Sequence, residues 1–172
     1  MQQALPRFRP VNRIDEKVTQ WLTRHSVQLV RISLGLVFLV FGMLKIFPDV
    51  SPAEDIAVRT TEAMTLGIVE GDVARLFVAA METAIGLSLL TGRYLRIGTA
   101  LLGVAMVGVL SPLALFPGEL FAGNYNAPTL AGQYVMKDIV LLASGLVVAL
   151  KQRGAEMVIV LEDASAGNER GR

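Results

Sequence analysis

Four ionisable side chains, Lys45, Glu82, Lys137 and Asp138, stand inside stretches of sequence that are otherwise apolar. A charge near the middle of a membrane helix costs roughly 2.5–3.5 kcal/mol on insertion scales, so it normally faces other helices and has a partner. Two acids and two bases at similar depth can pair, relay protons or line a polar pocket for a small molecule. Gln133 and Tyr134 lie on the turn before Lys137, Gln133 at i−4 from it, and add hydrogen-bonding groups. The expected arrangement pairs Glu82 with Lys45 or Lys137, and Asp138 with the remaining lysine. Adjacent residues point about 100° apart around a helix, so Lys137 and Asp138 are expected to face different neighbours. A buried ion network that only fixes helix register is the competing reading. Arg31 lies near the end of its apolar run and can extend its head to the interface.

Other chemistries are absent from the residue set. The chain has no cysteine and a single histidine, His25. Thiolate nucleophiles, dithiol redox pairs and multi-histidine metal sites are therefore excluded, and no metal site is expected. No catalytic set or cofactor motif is recognisable. Sixteen Lys and Arg against fifteen Asp and Glu give a net charge of +1, with no reason to expect nucleic acid.

The elements that must position the four charges are membrane spans. Apolar residues make up 53% of the 172, and charged residues only 18%, against about 25% in soluble domains. Runs of about 20 apolar residues cross the hydrocarbon core. They occur from about Val27 to Phe47, Val73 to Thr91, Tyr94 to Phe116 and Ala131 to Leu150. The fold class expected is an all-α membrane protein: a four-transmembrane-helix bundle with an N-terminal interfacial amphipathic helix. Arg7, Arg9, Arg13, Lys17 and Arg24 precede the first run, Arg93 and Arg96 link the second to the third, and Lys151 and Arg153 follow the fourth. The link after the first run is acidic, with only Arg59 and Arg75 for bases, and that between the third and fourth has only Glu119. Four crossings place every basic segment on one side, so both termini are expected in the cytoplasm. The first run exceeds the roughly 7–15-residue core of a signal peptide, so it is read as an anchored span. Glu82 then lies roughly 13 Å inward from the outer end of its span, and Lys137 and Asp138 roughly 9–10 Å along theirs. Lys45 sits close to its own outer end and reaches inward.

Three divisions are expected: residues 1–28 as a cytoplasmic amphipathic head, 29–151 as the four-helix domain, and 152–172 as a partly disordered cytoplasmic tail. Within the head, Ile14, Val18, Trp21 and Leu22 share a helical face that suits the membrane interface. Trp21, with Phe121 and Tyr125 of the last external link, is an expected interfacial anchor. Ser51, Pro52 and Glu54 have the spacing of a capping box, opening a short external helix to about Leu66 that Gly67 ends. Ser111-Pro112 breaks the third span near the depth of the charges, freeing a carbonyl. Gly98, Gly103, Gly108 and Gly145 are expected packing positions. The apolar run Met157–Leu161 in the tail suits either a strand or the membrane surface.

The sequence also resembles a known family. Leu36-Val37-Phe38 through Phe41-Gly42-Met43-Leu44-Lys45-Ile46-Phe47-Pro48 is similar to the first span and exit of DoxX-family bacterial membrane proteins. So are Ser51-Pro52-Ala53-Glu54, Glu82 with Ile85-Gly86-Leu87, and Pro128-Thr129-Leu130 with Gly132-Gln133-Tyr134 and Lys137-Asp138. The ordered set covers roughly residues 30–150. The resemblance implies a four-helix bundle in the bacterial cytoplasmic (inner) membrane. Some relatives are linked to redox work, such as the DoxD-like subunit of thiosulfate:quinone oxidoreductase. Vitamin K epoxide reductase-like bundles use cysteine pairs, which this chain lacks.

Two functions from different classes follow. One is an accessory subunit of a membrane redox system that binds quinone or lipid through Lys45, Glu82, Lys137 and Asp138, with Gln133 and Tyr134 adding hydrogen bonds. Its electrons would come from a partner protein. The other is a non-enzymatic membrane scaffold whose buried charges hold the bundle together. A transporter is less favoured, because four spans without inverted repeats would need a homo-oligomer.

Overall fold

The computed structural model describes residues 13–154. Seven helices follow in order: α1 (Arg13–Leu44), α2 (Glu54–Met64), α3 (Gly71–Thr91), α4 (Leu95–Leu110), α5 (Pro112–Leu115), α6 (Pro117–Leu120) and α7 (Leu130–Gln152). Four helical stretches are long and apolar enough to cross a membrane: Ile14–Leu44, Gly71–Thr91, Leu95–Leu115 and Asn124–Gln152. The third runs through α4 into α5, and the fourth includes the turn before α7. The chain is an all-α, multi-pass membrane protein. Met157–Leu161 and most of the expected tail lie outside the described residues.

The four long helices pack in a ring, α1 on α3, α3 on α4, α4 on α7, and α7 back on α1. Chain neighbours are thus spatial neighbours, as in an up-and-down bundle. Their shared core is Leu34 and Phe38 of α1, Ile85 and Leu89 of α3, Leu102, Ala105 and Met106 of α4, and Val148 of α7. The α1–α3 seam is tightest because glycines remove the side chains between the backbones. A Cβ on Gly86 would lie 2.5 Å from the Leu39 nitrogen, and one on Gly42 would lie 2.7 Å from the Thr83 nitrogen. Of the glycines expected to pack, Gly98 and Gly145 do abut Ser88 and Leu102, while Gly103 and Gly108 face open space. Tight packing needs a facing backbone, which those two positions on α4 lack.

The amphipathic head and the first span are one unbroken helix. No proline occurs between Arg13 and Leu44 and the first glycine is Gly35, so nothing interrupts the helix at the join. At 32 residues, α1 is about 48 Å long and exceeds the roughly 30 Å hydrocarbon core. Ile14, Val18, Trp21 and Leu22 are exposed on its first turns, and the Trp21 ring stacks on His25 at 4.8 Å.

A second, smaller core joins Ile56 of α2, Leu120 of α6 and Val135 of α7 at the end of the bundle where α1 stops. Phe121, expected as an interfacial anchor, packs partly buried against it; Tyr125 is fully exposed. The expected capping box does not form. Helix α2 opens after Ala53 with no side-chain cap, the Ser51 hydroxyl is buried without a partner among the described residues, and Glu54 instead accepts from the Asp49 amide at 3.3 Å. Two residues of turn at Pro52 and Ala53 carry Ser51 out of reach. The other end is as expected: Gly67, at φ +78°, donates its amide to the Glu62 carbonyl at 2.8 Å, the bond that closes a helix around a left-handed residue.

Helix α7 is capped by Thr129, whose hydroxyl oxygen accepts from the Gly132 amide at 3.2 Å and donates to the Glu119 carbonyl at 3.1 Å. Thr129→Ala is expected to cost about 1 kcal/mol, the usual value of a lost cap. The thermal midpoint of the purified protein in detergent should fall accordingly; an unchanged midpoint would show that the cap carries no stability.

Candidate functional site

The last turn of α1 carries Lys45 to the face of α3. Gly42, three residues earlier, lets the α1 backbone touch α3 beside Glu82 and Thr83. From there the Lys45 ammonium lies 3.1 Å from one Glu82 carboxylate oxygen and 2.8 Å from the other. Both residues are buried, at 3% and 7% exposure, so water does little to screen the pair. The Phe41 ring lies 5.7 Å from the Lys45 nitrogen. Of the two expected partners for Glu82, the structure selects Lys45.

Arg75 fixes the end of α1 in place. Its guanidinium donates to the carbonyls of Lys45 and Ile46, each at 2.8 Å. It also donates twice to one Asp72 oxygen, at 3.1 and 2.8 Å, and lies 3.7 Å from Glu54. The last carbonyls of a helix have no partner within it, and a cation there also suits the helix dipole. Arg75 was overlooked by the sequence reading. A signal was available: it precedes Glu82 by seven residues, two helical turns, on the same face of α3.

Asp138 shares a cavity of about 250 Å³ with Lys45 and Glu82. Tyr134, Val135, Asp138 and Leu141 of α7 line one side, a spacing that defines one helical face. Phe38, Phe41, Phe77 and Met106 supply much of the apolar wall, and α2 closes another side with Ala57, Thr60 and Thr61. Thr60 is 3% exposed, and its hydroxyl has no hydrogen-bond partner among the described residues. It too was missed, because it lies in a link between spans. Asp138 has no ion pair and no hydrogen bond among the described residues.

Lys137 does not pair with either acid. It is exposed, and its ammonium lies 5.8 Å from the Tyr134 ring, away from both carboxylates. Gln133 is exposed beside it, its amide 3.5 Å from the Pro128 carbonyl. The cause is the rotation of α7: Gly132, Val135, Gly145 and Val148 are its buried positions, and that face carries Asp138 inward. Gln133 and Lys137, four residues apart, share the opposite face. The structure thus joins Lys45, Glu82, Tyr134 and Asp138 and separates Gln133 and Lys137 from them.

The Ser111-Pro112 break borders the cavity through Pro112 and Gly108. Proline cannot donate to the Gly108 carbonyl four residues back; the Ser111 hydroxyl does so instead at 2.8 Å. Outside the spans, Arg59 of α2 hydrogen-bonds Glu119 of α6, which holds its pKa above the ordinary arginine value. That ion pair ties the α2 wall to the segment leading into α7.

In chemical terms the cavity has an apolar body, one ammonium already bound to a carboxylate, and a second carboxylate without a partner among the described residues. The DoxX family model matches residues 26–115. The match contains Lys45, Thr60, Arg75 and Glu82 and ends with α5, before Tyr134 and Asp138. No curated protein and no solved structure matches the chain.

Proposed function

The chain belongs to the DoxX family, and from that premise we propose that it binds a quinone headgroup as an accessory subunit of a membrane redox system. The seat of binding is the cavity between α1, α2, α3, α4 and α7. The observation that carries this reading is a charged cluster opening onto apolar space instead of being packed shut. A network that served only register would have its polar atoms satisfied and its surroundings filled. Here Lys45, Glu82 and Asp138 border about 250 Å³ of space. An apolar cavity of about 150 Å³ admits benzene, so this one is the size of a single substituted ring.

The bias of Lys and Arg between links supports a topology with both termini in the bacterial cytoplasm, which would set the cavity in the outer half of the inner membrane. Electrons would come from a partner protein, since the residue set has no redox-active side chain of the cysteine type. Lys45 has an N–H left over from the Glu82 pair to offer a quinone oxygen.

Filling the cavity without touching its charges is the direct test. Ala57→Phe places a ring in the cavity from the α2 wall. The wild type, purified from its native membrane, should carry quinone detectable by mass spectrometry. The variant should carry about tenfold less, equivalent to 1.4 kcal/mol of binding, at unchanged membrane abundance. Equal quinone content in both proteins would refute the site.

A further inference from the structure

We infer that the cavity selects the reduced, hydroquinone form of the headgroup over the oxidised quinone, through Asp138 on the α7 wall. The inference rests on the quinone-site reading and adds to it a redox state and the residue that determines it. A quinone presents only acceptor oxygens, whereas a hydroquinone presents two hydroxyl groups that donate and accept. The cavity's polar groups divide unevenly against that pair. Lys45 spends two N–H groups on the Glu82 carboxylate, and its third can serve an oxygen of either form. Asp138 lines the cavity without an ion pair or hydrogen bond among the described residues. As a carboxylate it only accepts. A quinone oxygen beside it sets lone pair against lone pair, while a hydroxyl gives it a charge-assisted hydrogen bond.

Thr60 does not add to the choice. It lines the same cavity from α2 at 3% exposure, and a hydroxyl donates as well as accepts, so it does not distinguish the two forms. A site that hydrogen-bonds a ligand hydroxyl discriminates strongly against the analogue lacking it, because its own polar groups are then stranded.

The test uses the full chain in lipid nanodiscs under anaerobic conditions, titrated with a decyl-substituted 1,4-benzoquinone and with its two-electron-reduced hydroquinone. The hydroquinone should bind at least about tenfold more tightly. Asp138→Asn, whose amide can donate to a quinone oxygen, should abolish or reverse that preference. Because Asp138 has no partner to strand, its variant is expected to remain monodisperse. Equal binding of both forms by the wild type would overturn the inference and leave the quinone site standing. Binding of neither form would overturn the quinone site itself. A preference that survives Asp138→Asn would also overturn the inference, by showing that selection arises elsewhere. Decylamine supplies the last arm: an amine that binds more tightly than the hydroquinone would show that Asp138 recognises a cation, which likewise overturns it.

Discussion

Lys45→Met is expected to remove most of the folded protein from the membrane, and Lys45→Met combined with Glu82→Met to restore it. The single change leaves the Glu82 carboxylate buried with no cation, and breaking a buried pair in this way costs about 3–5 kcal/mol. A native protein has only about 5–15 kcal/mol of stability to lose. The double change removes both charges and fills their space with apolar atoms, a replacement that is often neutral or stabilising. Arg75 continues to hold the end of α1 in the double variant, because it bonds the Lys45 and Ile46 carbonyls and not their side chains. Abundance in the membrane and monodispersity in detergent read the first effect, and quinone content reads the second. The double variant should be folded and empty. A single variant as abundant as the wild type would show that the pair is dispensable. A double variant that keeps its quinone would show that the pair serves structure alone, the scaffold reading.

The helices were legible because lipid imposes a simple demand. A span needs about 20 apolar residues whatever its neighbours, and the four runs end within a few residues of where α1, α3, α5 and α7 end. The same demand made Lys45, Glu82 and Asp138 conspicuous as exceptions. Rotation about each axis was not legible, and Lys137 shows why. It and Asp138 are neighbours in sequence and both lie within the span, so hydropathy treats them alike. Only the packing of Gly132, Val135 and Val148 decides which of the two faces inward. Thr60 failed differently: threonine in a polar link has no contrast with its surroundings, and its burial depends on α2 folding back against α3, α4 and α5. Arg75 stood where an arginine can reach the interface on its own. Its use as a clamp on α1 depends on where another helix stops.

Gly86→Ala, a change of one methyl group, should do nearly as much damage as the lysine substitution, for a reason with no electrostatics in it. The new Cβ would sit 2.5 Å from the Leu39 nitrogen and 2.7 Å from its Cα. Side chains can rotate away from an added methyl, but a helical backbone cannot, so α1 and α3 must separate. Overpacking a core costs about 1–3 kcal/mol and occasionally more, and a clash with backbone belongs at the upper end. Separation also acts on the site, because Gly42 and Gly86 set the spacing at which Lys45 reaches Glu82 in 2.8 Å. The same substitution at Gly103, where a Cβ meets nothing within 4 Å, removes helical flexibility and adds no contact. It should leave the thermal midpoint unchanged or slightly higher, since alanine exceeds glycine in helix propensity by about 1 kcal/mol. Midpoints of the two variants in the same detergent give the comparison, with quinone content as a second readout. If Gly86→Ala and Gly103→Ala behave alike, the contact of the α1 and α3 backbones is not what brings the ammonium to the carboxylate.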